Sequence, residues 1–493
     1  MEKWEDPEWV EAQKIVITTD LVAAAKKHLK FLKVVDENGK LYDGRALQRA
    51  IFRYKYCWLP LLANCSRSKV RELQIIVPLE CEWIWHCHRL NPVRYMADCK
   101  ELFGMILDPC TIVISSVEGS CKKITEELWN TTYPEEPYEL DFDDCFDDDS
   151  HNRQSGSASI KYDLASAVKR QSSFYNQVSR SFMKEDIYLE GAIERYKGFL
   201  HMIRRNKQMK SKSFCVPTYD IDLIWHTHQL HPLSYCNDMM CLLGNVLDHD
   251  DKDSDRTKGQ KLDIGFSQTT KRWKEMFSSR YWRAGAMYMP HVRTQSHCIN
   301  SSQSSEIMFV EVMVEVIEMR SLPSKHIGNF VLSIGKKQQD MLLKDKQHLS
   351  ICKESEETQA VLFMCEPKGV LLFDLLDGSS KSLGTCGISL SKLDSKLATP
   401  TWFTFESDTS TPITLGIVIS TTQPSPIQHV VTKSEHNDSG HFTGIIGSVW
   451  TKGGVCSGGG GGCGGGGGGG GGGCRASCGG CRSSCGGGGC NAK

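Results

Sequence analysis

Two short stretches carry the residue types that could do chemistry. Residues 83–92 read WIWHCHRLNP and residues 223–232 read LIWHTHQLHP, 140 residues apart at the shared Trp85 and Trp225. Each offers two imidazoles, His86 with His88 and His226 with His228, and a carboxylate four residues before the first, Glu82 or Asp222. Two imidazole nitrogens and a carboxylate oxygen form a donor set suited to zinc or ferrous iron. The backbone decides whether the set can act together. In a helix, Asp222 and His226 share a face at i, i+4 while His228 points away, so both histidines do not easily hold one ion. In an extended segment about Thr227 the two imidazoles share a face and the ion becomes feasible. The competing reading is packing, with buried imidazoles bonded to buried carboxylates between helices, and it is favoured because buried histidines commonly orient this way without a metal. Cys87 stands where Thr227 stands, so that thiol is outside the shared pattern.

The repeat extends well beyond the histidines. Pro92 matches Pro232, Tyr95 matches Tyr235, Asp98 matches Asp238, and Leu102, Gly104, Leu107 and Asp108 match Leu242, Gly244, Leu247 and Asp248. Upstream, Ala50-Ile51-Phe52-Arg53-Tyr54-Lys55 aligns with Ala192-Ile193-Glu194-Arg195-Tyr196-Lys197, and Asp20-Leu21 with Asp163-Leu164. Tandem modules over 1–130 and 158–295 follow, separated by an acidic and Ser-rich linker over 131–157. Both modules read as mainly helical. Leu21, Ala24, Ala25, Leu29, Leu32 and Val35 recur at helical steps behind Asp20, a good N-cap. A second helix is expected over Ala46–Leu62, and a third after Pro92 or Pro232, since proline is tolerated in a first turn. Within the linker, Pro134–Ser150 holds nine carboxylates and no Lys or Arg, which predicts a solvated segment.

From about residue 307, after a short linker over 296–306, the period becomes two. Val310-Glu311-Val312-Met313-Val314-Glu315-Val316 alternates as a half-buried strand does. Further strands are expected at Phe330–Ile334, Val361–Met364, Val370–Leu375, Gly387–Leu390, Trp402–Phe405 and Ile413–Ser420, which predicts an antiparallel β-sandwich over 307–425. GNFVLSIGKK, LLFDLLDG and ITLGIVIS together make that region resemble a C2 domain. Calcium-binding C2 domains need several Asp carboxylates from two loops. Here Arg320–Gly328 has none, leaving Asp374 and Asp377, so a scaffold without calcium is expected.

Composition locates the rest. Of 44 glycines and 22 cysteines, 23 and 7 fall within Gly453–Cys490. After a linker over 426–452, the tail 453–493 is expected to be disordered, because it has too little apolar surface to fold unaided. Cys474, Cys478, Cys481, Cys485 and Cys490 have spacings from which zinc thiolate sites are built, and a redox-sensitive or self-associating tail is the equal alternative. Lys+Arg 58 against Asp+Glu 59 gives a net charge of −1, with no global drive toward nucleic acid or anionic membranes. There is no signal-peptide pattern and no apolar run of membrane-spanning length, so a cytoplasmic chain with access to the nucleus, its other cysteines reduced, is expected.

Two modules with DxxWHxHxLxPxxY, a sandwich and a Cys-punctuated polyglycine tail resemble the plant glycine-rich domain-containing proteins. Asp222-Leu223-Ile224-Trp225-His226-Thr227-His228-Gln229-Leu230 is the most diagnostic stretch, and Glu82 replaces the aspartate in module one. The resemblance implies a regulatory role in abscisic-acid signalling, abiotic-stress tolerance and auxin-linked development, exerted through other proteins and without an established enzymatic activity. It also implies a longer relative, of which this chain would be a short form. An RNA-binding motif is discussed for the family. The nearest match, Arg195-Tyr196-Lys197-Gly198-Phe199-Leu200, would stack bases with Phe199 beside Lys197, but its context is helical and core packing is the expected role. The basic stretch Arg204-Arg205-Asn206-Lys207 with Lys210 and Lys212 is the other RNA candidate. The expectation is a non-enzymatic scaffold without a cofactor, the alternatives being a zinc- or iron-dependent enzyme built on the His-x-His modules and an RNA-binding regulator.

Overall fold

A computed structural model describes residues 6–67, 74–109, 112–119, 122–141, 160–211, 214–249, 257, 259–287, 306–321, 330–338, 341–351, 359–393, 400–405, 412–428, 448–451 and 454–456. Module one begins with α1 (Pro7–Gln13) and α2 (Leu21–Glu37), the latter capped by Asp20, whose Oδ1 accepts from Ala23 N at 3.1 Å. The stretch read as one helix over Ala46–Leu62 is divided. It consists of α3 (Gly44–Arg53), a π-helical turn over Tyr54–Trp58, and α4 (Leu59–Arg67). The wider turn brings Tyr54, Cys57 and Trp58 all inward. The motif lies on α5 (Leu79–Arg89), followed by α6 (Pro92–Phe103) and α7 (Lys123–Thr132). Two short strands, β1 (Ile75–Ile76) and β2 (Val113–Ile114), pair in parallel.

Module two runs α8 (Leu164–Gln171), α9 (Phe174–Val178), α10 (Asp186–Gln208), α11 (Tyr219–Gln229), α12 (Pro232–Leu243) and α13 (Lys261–Phe277). The matched Gly104 and Gly244 end α6 and α12 in the left-handed conformation, φ 71° and 72°, which glycine adopts without Cβ strain. The modules share one apolar core rather than two. α2 of module one packs on α11 of module two, and α8 of module two packs on α5 of module one. α1 also crosses over: Trp9 meets Trp273 and Phe277 edge-on at 6.0 and 5.4 Å.

A buried arginine closes each module. Arg53 donates to Glu80 at 2.9 Å, Glu136 at 2.7 Å and the Tyr138 carbonyl at 2.6 Å, lying over Trp129. Arg195 donates to Asp220 at 2.7 Å, Thr218 Oγ1 at 3.0 Å and the Tyr281 carbonyl at 2.9 Å, lying over Trp273. Glu136 and Tyr138, within the run expected to be solvated, are therefore buried. The pull of Arg53 and Arg49 on Glu136 explains the difference.

The region from residue 306 forms two antiparallel sheets over a shared core. One has the order β5 (Met341–Ile351), β4 (Phe330–Gln338), β7 (Val370–Leu376), β8 (Ser382–Ser389). The other has the order β13 (Gly454–Cys456), β12 (Ser448–Thr451), β6 (Gln359–Cys365), β3 (Glu306–Arg320), β10 (Ile413–Thr421), β9 (Pro400–Phe405), with β11 (Ser425–Gln428) also on β3. β5 was not legible because the run Lys344-Asp345-Lys346 breaks the apolar–polar alternation in the sequence. β12 falls within the stretch 426–452 read as linker, and β13 at the start of the tail over 453–493. Cys474, Cys478, Cys481, Cys485 and Cys490 lie outside the described residues.

β3 also corrects the half-buried reading. Its apolar face joins the sandwich core, and its charged face docks on the helical region. Arg180 meets Glu311 at 2.5 Å and Arg280 meets Glu315 at 2.8 Å, while Met313 joins the helical core. Among the described residues no helix is long and apolar enough to cross a membrane.

Candidate histidine–carboxylate centre

Both His-x-His segments are helical, which settles the backbone question raised by the sequence. The two histidines of each motif therefore diverge. The second has the same surroundings in both modules. His88 Nδ1 faces Tyr54 Oη at 2.9 Å and Nε2 faces Asp98 at 3.2 Å. His228 Nδ1 faces Tyr196 Oη at 3.1 Å and Nε2 faces Asp238 at 3.1 Å. An ionised carboxylate only accepts, so Nε2 carries the proton and Nδ1 accepts from the tyrosine. Beside each, tryptophan bonds tyrosine and tyrosine bonds a carbonyl: Trp85 Nε1 to Tyr95 Oη at 2.8 Å and on to Leu107, Trp225 Nε1 to Tyr235 Oη at 2.9 Å and on to Leu247. Burial holds both imidazoles below the usual histidine range, against the pull of the aspartates.

The first histidine differs between modules. In module one, His86 Nε2 lies 2.9 Å from His28 Nε2, and His28 Nδ1 lies 2.9 Å from Thr227 Oγ1 of module two. Thr227 donates its hydroxyl proton to the Leu223 carbonyl at 2.7 Å, so it accepts from His28, and His86 donates to His28. Burial, above all, holds both rings neutral, well below the histidine range. Glu82 is turned away from this pair, accepting from Ser116 N at 2.7 Å and Ser116 Oγ at 2.5 Å. Burial raises its pKa.

In module two the carboxylate stays with the histidine and a third group joins. His226 Nε2 lies 3.5 Å from Asp222 Oδ1 and 3.3 Å from His249 Nε2, and His249 Nε2 lies 3.5 Å from the same Asp222 oxygen. Phe174 tilts over His226 at 4.4 Å, and Trp225 and His249 meet at right angles at 4.7 Å. Two imidazoles and a carboxylate aimed at one point can share a proton or hold a cation. Glu82, His86, His88 and His228 do not join this cluster. His249 falls outside the repeated pattern, because Pro109 occupies its place in module one. Its position directly after the matched Leu247-Asp248 was the available signal.

The other candidates fall elsewhere. Arg195, Tyr196 and Phe199 are buried on α10, so Phe199 does not reach a base. Lys197 Nζ donates to the Gln13 carbonyl. Arg205 bonds Glu8 and Lys207 bonds the Leu243 carbonyl, while Lys207 and Lys210 remain exposed and Lys212 lies outside the described residues. In the sandwich, Asp377 Oδ1 accepts from Ser379 N and Lys381 N, and Asp374 accepts from Ser382 Oγ.

Models of the glycine-rich domain-containing protein-like family match residues 2–98 and 94–238, and a model of the C2 domain of glycine-rich domain-containing protein matches 306–423. The chain belongs to the glycine-rich domain-containing protein family. It is 47% identical to glycine-rich domain-containing protein 1 of Arabidopsis thaliana over 90% of this chain and 59% of that one. Glycine-rich domain-containing protein 2 of the same plant is 46% identical over 86% of this chain and 57% of that one. The chain thus spans less than two-thirds of either relative. A C2 domain of plant extended synaptotagmin 1 aligns with 25% of this chain and 99% of its own at 14% identity and a TM-score of 0.17, too low to carry an argument.

Proposed function

We propose that this family member is a non-catalytic scaffold, cytoplasmic with access to the nucleus, that regulates abscisic-acid signalling, stress response and auxin-linked development through contacts with other proteins. The observation that carries the non-catalytic part is the duplicated network. In both modules the Trp bonds the Tyr of the motif, and the second His meets a tyrosine from another helix and faces the motif's Asp inside the core, the pattern of groups that hold a fold together rather than act on a ligand. The signalling part rests on what the family resemblance implies. Docking of the C2 domain through Glu311 and Glu315 supports a fixed platform.

A metal-dependent enzyme is the second reading, favoured by the Asp222–His226–His249 cluster alone. Complementation in a plant line lacking its own relative checks both. Wild-type chain and Asp222→Asn/His249→Gln are expected to restore abscisic-acid sensitivity of germination equally. Restoration by wild type alone, at equal protein abundance, overturns the non-catalytic reading. Failure of both overturns the signalling assignment.

A further inference from the structure

We infer that Asp222 Oδ1, His226 Nε2 and His249 Nε2 form a binding site for a single tetrahedral divalent metal of the zinc class, present in module two only, with water as its fourth ligand. The three donors form a nearly equilateral triangle with edges of 3.3, 3.5 and 3.5 Å. Zinc bonds of about 2.0–2.1 Å at tetrahedral angles place neighbouring ligands about 3.3–3.4 Å apart. An octahedral ion with similar bonds needs edges of about 3.0 Å, so the triangle fits a tetrahedral face better than the facial triad of ferrous iron. The donor types agree: two imidazoles and a carboxylate with the fourth position left to water is one of the zinc arrangements that proteins use.

The surroundings suit an ion that enters from solvent. The His226 side chain is 2% exposed, while those of His249 and Asp222 are 10% and 18% exposed. Phe174 packs against the His226 ring and Trp225 against the His249 ring, apolar contacts that hold the ring planes.

Module one supplies an internal comparison on the same framework. Its carboxylate is taken by Ser116, its histidine by His28, and Pro109 stands in place of the third ligand. The duplication has thus left a hydrogen-bonded pair in one copy and three convergent donors in the other. α11 sets Asp222 and His226 one helical turn apart, and the loop after α12 brings His249 to them.

Cobalt(II) titration of the metal-free full chain tests the assignment, because tetrahedral nitrogen and oxygen ligands give visible d–d bands without the thiolate charge-transfer absorption that the tail cysteines would add. About one cobalt per chain with such bands is expected, displaced by zinc. Those bands should disappear in His249→Gln and in Asp222→Asn, whose circular dichroism should match wild type, and persist in His86→Gln. A chain that shows thiolate bands alone, or nitrogen and oxygen bands unchanged in both module-two variants, overturns the site. Should His249→Gln fail to fold, Asp222→Asn alone decides the matter, since that side chain lies at the rim.

Discussion

His28, His86, His88 and His228 are buried and His231 partly so, and all five, chiefly because burial disfavours the charged ring, bind protons more weakly than exposed histidine; for His231 the pKa falls to about 4. The unfolded chain takes up protons near 6.5, the folded chain only at lower pH, so the unfolded state binds more protons between those values. Stability should therefore decline as pH falls through about 6.5, by about 1.4 kcal/mol per pH unit for each such histidine while its folded form stays neutral. Urea midpoints at pH 7.5, 6.5 and 5.5 would measure the slope. His28→Gln/His86→Gln should flatten it, and an unchanged slope would rule out this pair as the source. The lowered carboxylates Asp98 and Asp238 act in a separate window, below their ordinary 3.8.

At the scale of elements, the two arginine clamps look equivalent but are not equally protected. Arg53 pairs with Glu80 and Glu136 in a buried pocket, sharing Glu136 with Arg49, so its loss bears chiefly on Glu80. Asp220 feels burial pushing its pKa up, but Arg195 and Arg283 outweigh it and hold the carboxyl at about 2. Removing one partner of a buried ion pair typically costs about 3–5 kcal/mol. Arg53→Met should lose that much, and Arg195→Met less, because Arg283 stays 2.9 Å from Asp220. Chemical denaturation of the two variants checks the order, and a larger loss for Arg195→Met would contradict it. A second element-level test concerns Gly198 on α10, where an added Cβ would come within 2.9 Å of both Trp273 and Trp9. Gly→Ala inside an exposed helix stabilises by about 1 kcal/mol. Here overpacking should reverse the sign and cost about 1–3 kcal/mol, visible as a lowered melting temperature.

For the whole molecule, the junction between helices and sandwich turns on Glu315. Burial raises its pKa to about 7, although Arg280 at 2.8 Å pulls the other way. The folded state thus binds this proton more tightly than the unfolded state, whose carboxyl titrates near 4.5, and stability declines as pH rises from about 4.5 to 7. Glu315→Gln should gain on wild type across that interval, by about 1–3 kcal/mol at its upper end. Stability curves at pH 5 and pH 8 would show it, and a gap that does not widen with pH would refute the burial argument.

The sequence by itself determined what is local or repeated. Period and punctuation located α2, the prolines opening α6 and α12, and most strands of the sandwich, while the duplication marked Trp85, Tyr95, His88 and their partners as one recurring unit. It could not show which module's helix would cover which motif, because α2 and α8 cross to the opposite module through contacts far apart in the chain. Nor could it show that Glu136 and the charged face of β3 are buried, since alternating or clustered charge looks the same in solvent as against a hidden arginine. The Asp222–His226–His249 triangle illustrates both limits. Helical spacing alone joined the first two residues, and only the tertiary path of the loop after α12 brought the third, which the repeat does not share.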